Sequence, residues 1–354
     1  MNSINIGKSN IIFNNASYSA LNQYIKSEKI SNIFVLVDSN TSKYCLPYFT
    51  NNLDSELSFE TIDIKAGEEY KTINSCVDVW NILSEKGADR KSLLINLGGG
   101  VVTDLGGFVA CTFRRGIKYI NVPTTLLAMV DASVGGKTGV DLGALKNQIG
   151  IIHSGDLVLV DTNYLSTLPK NQFNSGVSEM LKHGLITSDE YWSKMKNYIK
   201  NGNNLDELIH ESIKIKAHIV EKDQNEFGLR KTLNFGHTLG HAIESYCLEN
   251  KTKKELLHGE AIAVGMILET FLSYKLLNFP KDKMNDVKAT IFKLFPKVKF
   301  NKEDYNEIIK LLRFDKKNNY GNINFVLLND IGKPELDCQV ENDLILDAFE
   351  FYKN

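Results

Sequence analysis

The chain has 354 residues, 43% of them hydrophobic and 24% charged, with a formal net charge of −2. Its length predicts two domains rather than one core, and its composition excludes collagen-like and disordered classes. The near-neutral charge argues against broad nucleic-acid binding, which needs clustered cations to displace counterions. Lys251, Lys253 and Lys254 form a short basic run, but Glu249 and Glu255 flank it, and it reads as a solvated loop. The five cysteines, at 45, 76, 111, 247 and 338, show no metal-finger spacing. Their odd number and isolation fit a reducing compartment rather than a disulfide framework. "MNSINIGKSN" has neither the basic start nor the apolar core of a signal peptide, and Glu269 interrupts the most apolar stretch well short of a membrane span. A cytoplasmic protein without membrane contact is expected.

In chain order, four short apolar runs come first: "NIFVLVD" (32–38), "SLLINLGG" (92–99), "KYINVPTT" (118–125) and "LVLVDT" (157–162). Separated by helical stretches, they read as buried parallel strands of an α/β sheet. Functional loops then belong at the carboxyl ends of the strands, where Asp38, Gly98–Gly100 and Thr124–Thr125 fall. Asp38 suits ribose hydroxyls there, although a lone strand-terminal acid is more often a helix cap. "LLINLGGGVVTDLGGF" is a strand, three glycines and a helix, a pattern that brings a pyrophosphate against backbone amides at a helix N-terminus. It is not G-x-G-x-x-G, and the competing reading is a tight turn needing positive φ. In "VDASVGGKTGV" (130–140), Gly136, Lys137 and Thr138 match the end of a P-loop, but Asp131 stands where its leading glycine belongs. An ATP cradle therefore fails, and the acid and the lysine need another purpose.

After Pro169 the texture turns helical. "NNLDELIHESIKIKAHIVEKD" carries an apolar stripe at 205, 208, 209, 213, 219 and 220. Lys216 falls on that stripe, where a charge snorkels to the edge or needs a partner or ligand. In "LRKTLNFGHTLGHAIE", Arg230, Asn234, His237 and His241 stand at helical offsets, predicting one helix with all four on one face. Gly236 and Gly240 thin the neighbouring face for another element to pack close. "HGEAIAVGMILETFLSYKLL" is apolar nearly all round and predicts a buried helix opened by His258. One hairpin is expected near "NNYGNINFVLL". His237, His241 and His258, with a carboxylate such as Glu179 in "SGVSEMLKHG", suit an open zinc site of the catalytic kind, and the spacing leaves open which two of the three touch the ion. His153, His183, His210 and His218 read as structural. Lys216 with Arg230 would make a cationic pair for a carboxylate or phosphate. The architecture expected is an α/β, Rossmann-like nucleotide-binding domain over 1–168 followed by a mostly α-helical domain over 169–354, with a cleft between them.

Taken together, "GGGVVTDLGGF", "FRRG", "PTTLLAMVDASVGGKTGVD", "KNQIG", "SEMLKHG", "GLRKTLNFGHTLGHAIE" and "LHGEAIAVGM" resemble, in this order, the 3-dehydroquinate synthase family, from about residue 66 to 330. The resemblance implies conversion of 3-deoxy-D-arabino-heptulosonate 7-phosphate to 3-dehydroquinate and phosphate, the second step of the shikimate pathway, with NAD and a divalent metal, zinc or cobalt. It implies Glu179, His237 and His258 as metal ligands, with His241 turned toward the substrate phosphate. Lys216 and Arg230 would hold the substrate carboxylate. Lys137, Asn147, Asn234 and Lys316 would bind the phosphate, with Arg115 reaching in from the second subunit of a homodimer. Asp131, Lys182 and Glu226 would surround the reacting hydroxyls. For NAD it implicates Asp38, Glu68, Lys71, Gly100, Val101, Val102, Thr103, Asp104, Thr124, Thr125, Lys137, Lys146 and the turn Tyr164, Leu165, Ser166 and Thr167. The segment between Glu244 and His258 is lysine-rich and longer than is common in the family.

Rival readings are another sugar phosphate cyclase, whose substrates lack the carboxylate that Lys216 and Arg230 would hold, and a metal-dependent polyol dehydrogenase. The latter shares the two-part plan and the glycine turn, but it would release NADH and need no phosphate cluster around Lys137, Asn147 and His241.

Overall fold

The four apolar runs become neighbours in one seven-stranded sheet. A computed structural model describes residues 3–143, 145–312 and 323–354. It divides into two units, Met1–Pro169 with Lys216–Glu221, and Lys170–Ile215 with Lys222–Asn354.

In the first unit, strands β1 (Ile4–Ile6), β2 (Ser9–Phe13), β3 (Ile33–Asp38), β4 (Glu60–Ile64), β5 (Leu93–Gly98) and β6 (Lys118–Pro123) form the sheet together with β9 (Leu157–Val160). The order is β1-β2-β9-β6-β5-β3-β4, and only the β1–β2 pair is antiparallel. Leu93, Leu94, Ile95 and Leu97 of β5 are all fully buried, which is why the strand reads as a continuous apolar run rather than an alternating one. Each such side chain contributes about 1.5–3 kcal/mol on leaving water. Helices α1 (Asn15–Ser27), α2 (Ser39–Tyr44), α3 (Leu46–Asn52), α4 (Ile73–Glu85) and α5 (Gly100–Thr112) belong to this unit. Of these, α5 begins directly after the glycines that end β5. Strands β7 (Lys137–Leu142) and β8 (Leu145–Ile152) make a separate antiparallel hairpin.

The second unit is mostly helical: α6 (Lys170–Thr187), α7 (Asp189–Asn201), α8 (Leu205–Lys222), α9 (His237–Glu249), α10 (His258–Leu277), α11 (Lys281–Ile291), α12 (Lys302–Leu311) and α13 (Asn342–Lys353). The stretch Lys216–Glu221 of α8 counts with the first unit. An antiparallel hairpin, β10 (Phe325–Asp330) with β11 (Lys333–Cys338), begins within the expected stretch and extends beyond it. Helix α10 is buried without interruption from Ala261 to Ser273, and Glu269, Thr270 and Ser273 are the polar residues of that stretch. No helix among the described residues is long and apolar enough to cross a membrane.

The expected single helix over 229–244 is corrected. Leu229–Asn234 is a 3₁₀ turn, Phe235 leaves helical geometry at φ −56° and ψ 130°, and Gly236 sits in the left-handed region at φ +79°. Helix α9 starts only at His237, so Arg230 and Asn234 do not share a helical face with His237 and His241. A Cβ on Gly236 would lie 2.6 Å from Met266 Cγ, and this close approach to α10 together with the positive φ is what breaks the helix there.

Candidate active site

The second unit gathers three histidines and a carboxylate. Glu179 lies in the buried centre of α6, and its Oε2 accepts a hydrogen bond from Lys182 one turn on; both side chains are essentially without solvent exposure. Glu179 Oε1 is buried and makes no hydrogen bond among the described residues. It lies 3.6 Å from His237 Nε2 and 3.8 Å from His258 Nε2. Helix α6 reaches this position because Gly259, beside His258, lets Ser175 approach: the Gly259 N–H donates to Ser175 Oγ at 2.9 Å.

Both imidazoles are oriented from behind. His237 Nδ1 lies 3.1 Å from the Phe235 carbonyl, and His258 Nδ1 lies 3.3 Å from Glu244 Oε2. With each Nδ1–H donating, each Nε2 keeps its lone pair and faces Glu179 Oε1. Two lone pairs and a carboxylate oxygen meeting in a buried space carry excess negative potential, and donors spaced this way fit a shared cation about 2 Å from each. His241 completes the group: its ring centroid lies 5.1 Å from that of His237 and 5.7 Å from that of His258. One ring nitrogen from each of the three histidines lies within 4.8 Å of the others. His183, buried in α6, instead bonds Ser212 Oγ at 2.7 Å.

The loop ahead of α9 is a second cluster. Asp223 straps it, its carboxylate accepting the N–H groups of Phe227, Gly228 and Arg230 at 3.1, 2.7 and 3.0 Å. The Gly228 N–H chiefly, with those of Arg230, Phe227 and Glu226, holds the Asp223 carboxyl below its ordinary range. Arg230 is 2% exposed and donates from Nη1 to Gln224 O at 2.8 Å. Glu226 sits at φ +63°, and its Oε1 accepts from Asn234 Nδ2 at 2.9 Å.

In the first unit the glycine turn is built for close approach. Gly98–Gly100 have no positive φ, so the tight-turn reading fails. A Cβ on Gly99, the N-cap of α5, would come to 3.0 Å from Thr125 Cγ2. Gly100, Val101 and Val102 open α5, where first-turn amides lack intrahelical acceptors. Thr103 is buried, with Oγ1 on the Gly99 and Gly100 carbonyls. Thr124 N–H donates to Gly98 O, and Thr125 Oγ1 accepts from Ala128 N–H. Lys71, 3% exposed, donates to both Asp104 Oδ2 and Asn147 Oδ1 at 2.6 Å. Burial disfavours the Lys71 ammonium, but Asp104, Glu68 and Asp141 outweigh it and raise its pKa. Lys146 lies 3.8 Å from Glu68 Oε1. Asp38 caps α2, its Oδ1 accepting from Asn40 and Thr41 N–H at 2.9 and 2.8 Å. Tyr164 is buried with its hydroxyl on Tyr18 at 2.7 Å, in the 3₁₀ turn Thr162–Thr167 that also holds Leu165, Ser166 and Thr167.

The segment at 130–140 differs from a P-loop in kind. Asp131 lies in a π-helical turn, Ala128–Ala132, and Lys137 and Thr138 open a strand where a P-loop would open a helix. Lys216 answers its own puzzle: 6% exposed, it donates to Asp131 O at 2.6 Å and Oδ1 at 2.5 Å. Arg115 is exposed, at φ +68°. Lys316 lies outside the described residues.

Sequence reasoning gave no role to Glu244, Asp223 or Tyr18. Only Asp223 left a local trace, an acid just before a glycine-containing turn.

The 3-dehydroquinate synthase N-terminal model matches residues 61–175 and the C-terminal model residues 176–318. The chain belongs to the 3-dehydroquinate synthase family. It is 40% identical over 338 residues to the 3-dehydroquinate synthase of Parabacteroides distasonis, covering 95% of each chain. It is 38% identical over 353 residues to that of Endomicrobium trichonymphae, covering 97% of this chain and 95% of the other. Among solved structures, a 2-deoxy-scyllo-inosose synthase complexed with carbaglucose-6-phosphate, NAD+ and Co2+ aligns at a TM-score of 0.87, with 25% identity over 99% of both chains. A probable glycerol dehydrogenase from Sinorhizobium meliloti aligns at 0.64 with 14% identity over 100% of this chain and 99% of the other, a likeness of fold alone.

Proposed function

We propose that this chain converts 3-deoxy-D-arabino-heptulosonate 7-phosphate to 3-dehydroquinate and phosphate, with NAD and a divalent ion, zinc or cobalt, as cofactors. The observation that carries the reading is Glu179 Oε1, a buried carboxylate oxygen without a hydrogen bond among the described residues, set between His237 Nε2 and His258 Nε2 at 3.6 and 3.8 Å. Those three residues would hold the ion. The α5 amides after Gly99, with Asp38, Glu68, Lys71, Asp104, Thr124, Thr125, Lys146 and the turn at 164–167, would hold the dinucleotide. When bound, NAD supplies a temporary store for one hydride and the ion supplies Lewis acidity at the C5 hydroxyl.

The chain's own residues do the rest. Lys216 and Arg230, both buried, bind the substrate carboxylate. Lys137, Asn147, Asn234, His241 and Lys316 bind the phosphate. Asp131, Lys182 and Glu226 orient the hydroxyls, with the Lys182 ammonium held by Glu179 Oε2. The transient C5 ketone acidifies the neighbouring C–H, and phosphate leaves by β-elimination, its own oxygen accepting the proton. After re-reduction the ring opens and recloses by an internal aldol step, in which the residues restrict conformation. We further propose a cytosolic homodimer in which Arg115 completes the site of the other subunit; a monomer by light scattering at assay concentrations would exclude it.

The buried cation at Lys216 and the one at Arg230 favour a carboxylated substrate over those of the other sugar phosphate cyclases. The test is phosphate release with NAD and zinc, run side by side on the heptulosonate phosphate, sedoheptulose 7-phosphate and glucose 6-phosphate. Release from the first alone, without NADH accumulation, is expected. Stoichiometric NADH would point to a dehydrogenase instead.

A further inference from the structure

A carboxylate sits in the middle of the most apolar helix in the chain. Glu269 of α10 is fully buried, and a charge there must be compensated by hydrogen bonds or cations. Its partners are backbone amides of another helix. Glu269 Oε2 accepts the Gly236 N–H at 2.6 Å, and Oε1 accepts the Leu239 N–H at 3.0 Å.

Those two amides belong to the N-terminus of α9, whose first turn has N–H groups without intrahelical acceptors and the positive end of the helix dipole. A Ser, Thr, Asp or Asn at the N-cap would normally supply the oxygen. Gly236 occupies that position and makes no side-chain cap. It has to be glycine, because its φ is +79° and a Cβ would strike Met266 Cγ at 2.6 Å. The cap is therefore supplied from outside, by Glu269, and as a charged acceptor each of its bonds is stronger than a neutral one.

His237 stands between the two clamped amides, as the first residue of α9. Glu269 lies on the same helix as His258, eleven positions further on, or about three turns. One carboxylate thus ties the start of the helix bearing one imidazole to the body of the helix bearing the other. We infer that Glu269 is a positioning residue for the metal centre: it sets where His237 stands relative to His258 by capping α9 from α10. This rests on the reading of Glu179, His237 and His258 as ligands, and Glu269 itself holds the backbone amides of Gly236 and Leu239.

The test is a zinc-affinity titration of the full chain against a chromophoric chelator, for the wild type, Glu269→Gln, Glu179→Gln and Leu272→Ala. Leu272 is a fully buried apolar residue of α10 and serves as a control for general destabilisation. Glu269→Gln is expected to weaken zinc binding about 10–100-fold, the range for outer partners of metal ligands, and Leu272→Ala to leave it unchanged. An unchanged affinity in Glu269→Gln beside a defective Glu179→Gln overturns the positioning role alone. An equal loss in Leu272→Ala also overturns it. Zinc binding by Glu179→Gln as tight as wild type overturns the ligand reading instead. Should Glu269→Gln fail to fold, amide exchange in the wild type decides: the Leu239 N–H is expected to exchange only on global unfolding, and rapid exchange overturns the clamp.

Discussion

The two units build their parts of the chemistry from different material. In the first, the proposed site draws on backbone as well as side chains: the amides that open α5 after Gly98–Gly100, with Lys71, Asp104 and a hairpin that begins with Lys137. In the second it is side chains: Glu179, His237, His241 and His258, with His237 and His258 oriented by Phe235 O and Glu244. A backbone site is specified by what is missing, a Cβ, and survives most side-chain changes nearby. A side-chain site is specified by donors whose positions depend on several helices at once, so single changes should be felt more sharply there.

The largest expected effect is accordingly in the second unit. Glu179→Gln removes the charge facing both Nε2 atoms and leaves the Lys182 ammonium without its buried counter-charge. Zinc should be lost, and kcat should fall on the order of 10³-fold, the scale of a lost electrostatic stabiliser at a reacting oxygen. Metal content by atomic absorption together with turnover checks this; a variant keeping both would mean that the ion sits elsewhere.

A smaller effect is expected from the backbone site. Gly99→Ala places a methyl 3.0 Å from Thr125 Cγ2, so a neighbour must shift by a few tenths of an ångström and the dinucleotide is held off. The Kd for NAD, by calorimetry, should rise about tenfold, or about 1.4 kcal/mol, with zinc content untouched. If NAD affinity is unaltered, the pyrophosphate does not rest on this turn, and the contrast between the two units loses its basis.

The same contrast explains what could be read from the chain directly. The strands at 33–38, 93–98, 118–123 and 157–160 and the buried helix α10 are legible because burial on every side leaves continuous apolar runs. The glycine turn is legible because local sequence dictates local backbone. The face shared by Arg230, Asn234, His237 and His241 is misread because periodicity carries no information about where α10 presses on Gly236, and that contact breaks the helix. The roles of Glu244 and Glu269 are invisible for the same reason: their partners are 14 and 30–33 residues away along the chain. Only the oddity of an acid inside an apolar helix signals that Glu269 must have partners at all. Lys216 gives a similar signal, and there the structure supplies Asp131.

The smallest expected effect tests the loop that carries Glu226 and Arg230. Asp223 is held ionised mainly by the Gly228 N–H, so its folded pKa lies below that of a free aspartate, about 3.9. A depressed carboxyl contributes stability that is present above the unfolded pKa and is lost as pH falls through the folded one. Amide exchange at Gly228 and Arg230 should therefore show steady protection at neutral pH that declines below about pH 4. Asp223→Asn, which cannot ionise, should show weaker protection at pH 7 and no such decline. The group is only half-buried, so the loop should open locally while α9 and the histidine cluster stay protected. Protection in the wild type that persists unchanged to pH 2 would mean that the strap is neutral in its working form, and that Arg230 is placed by its bond to Gln224 instead.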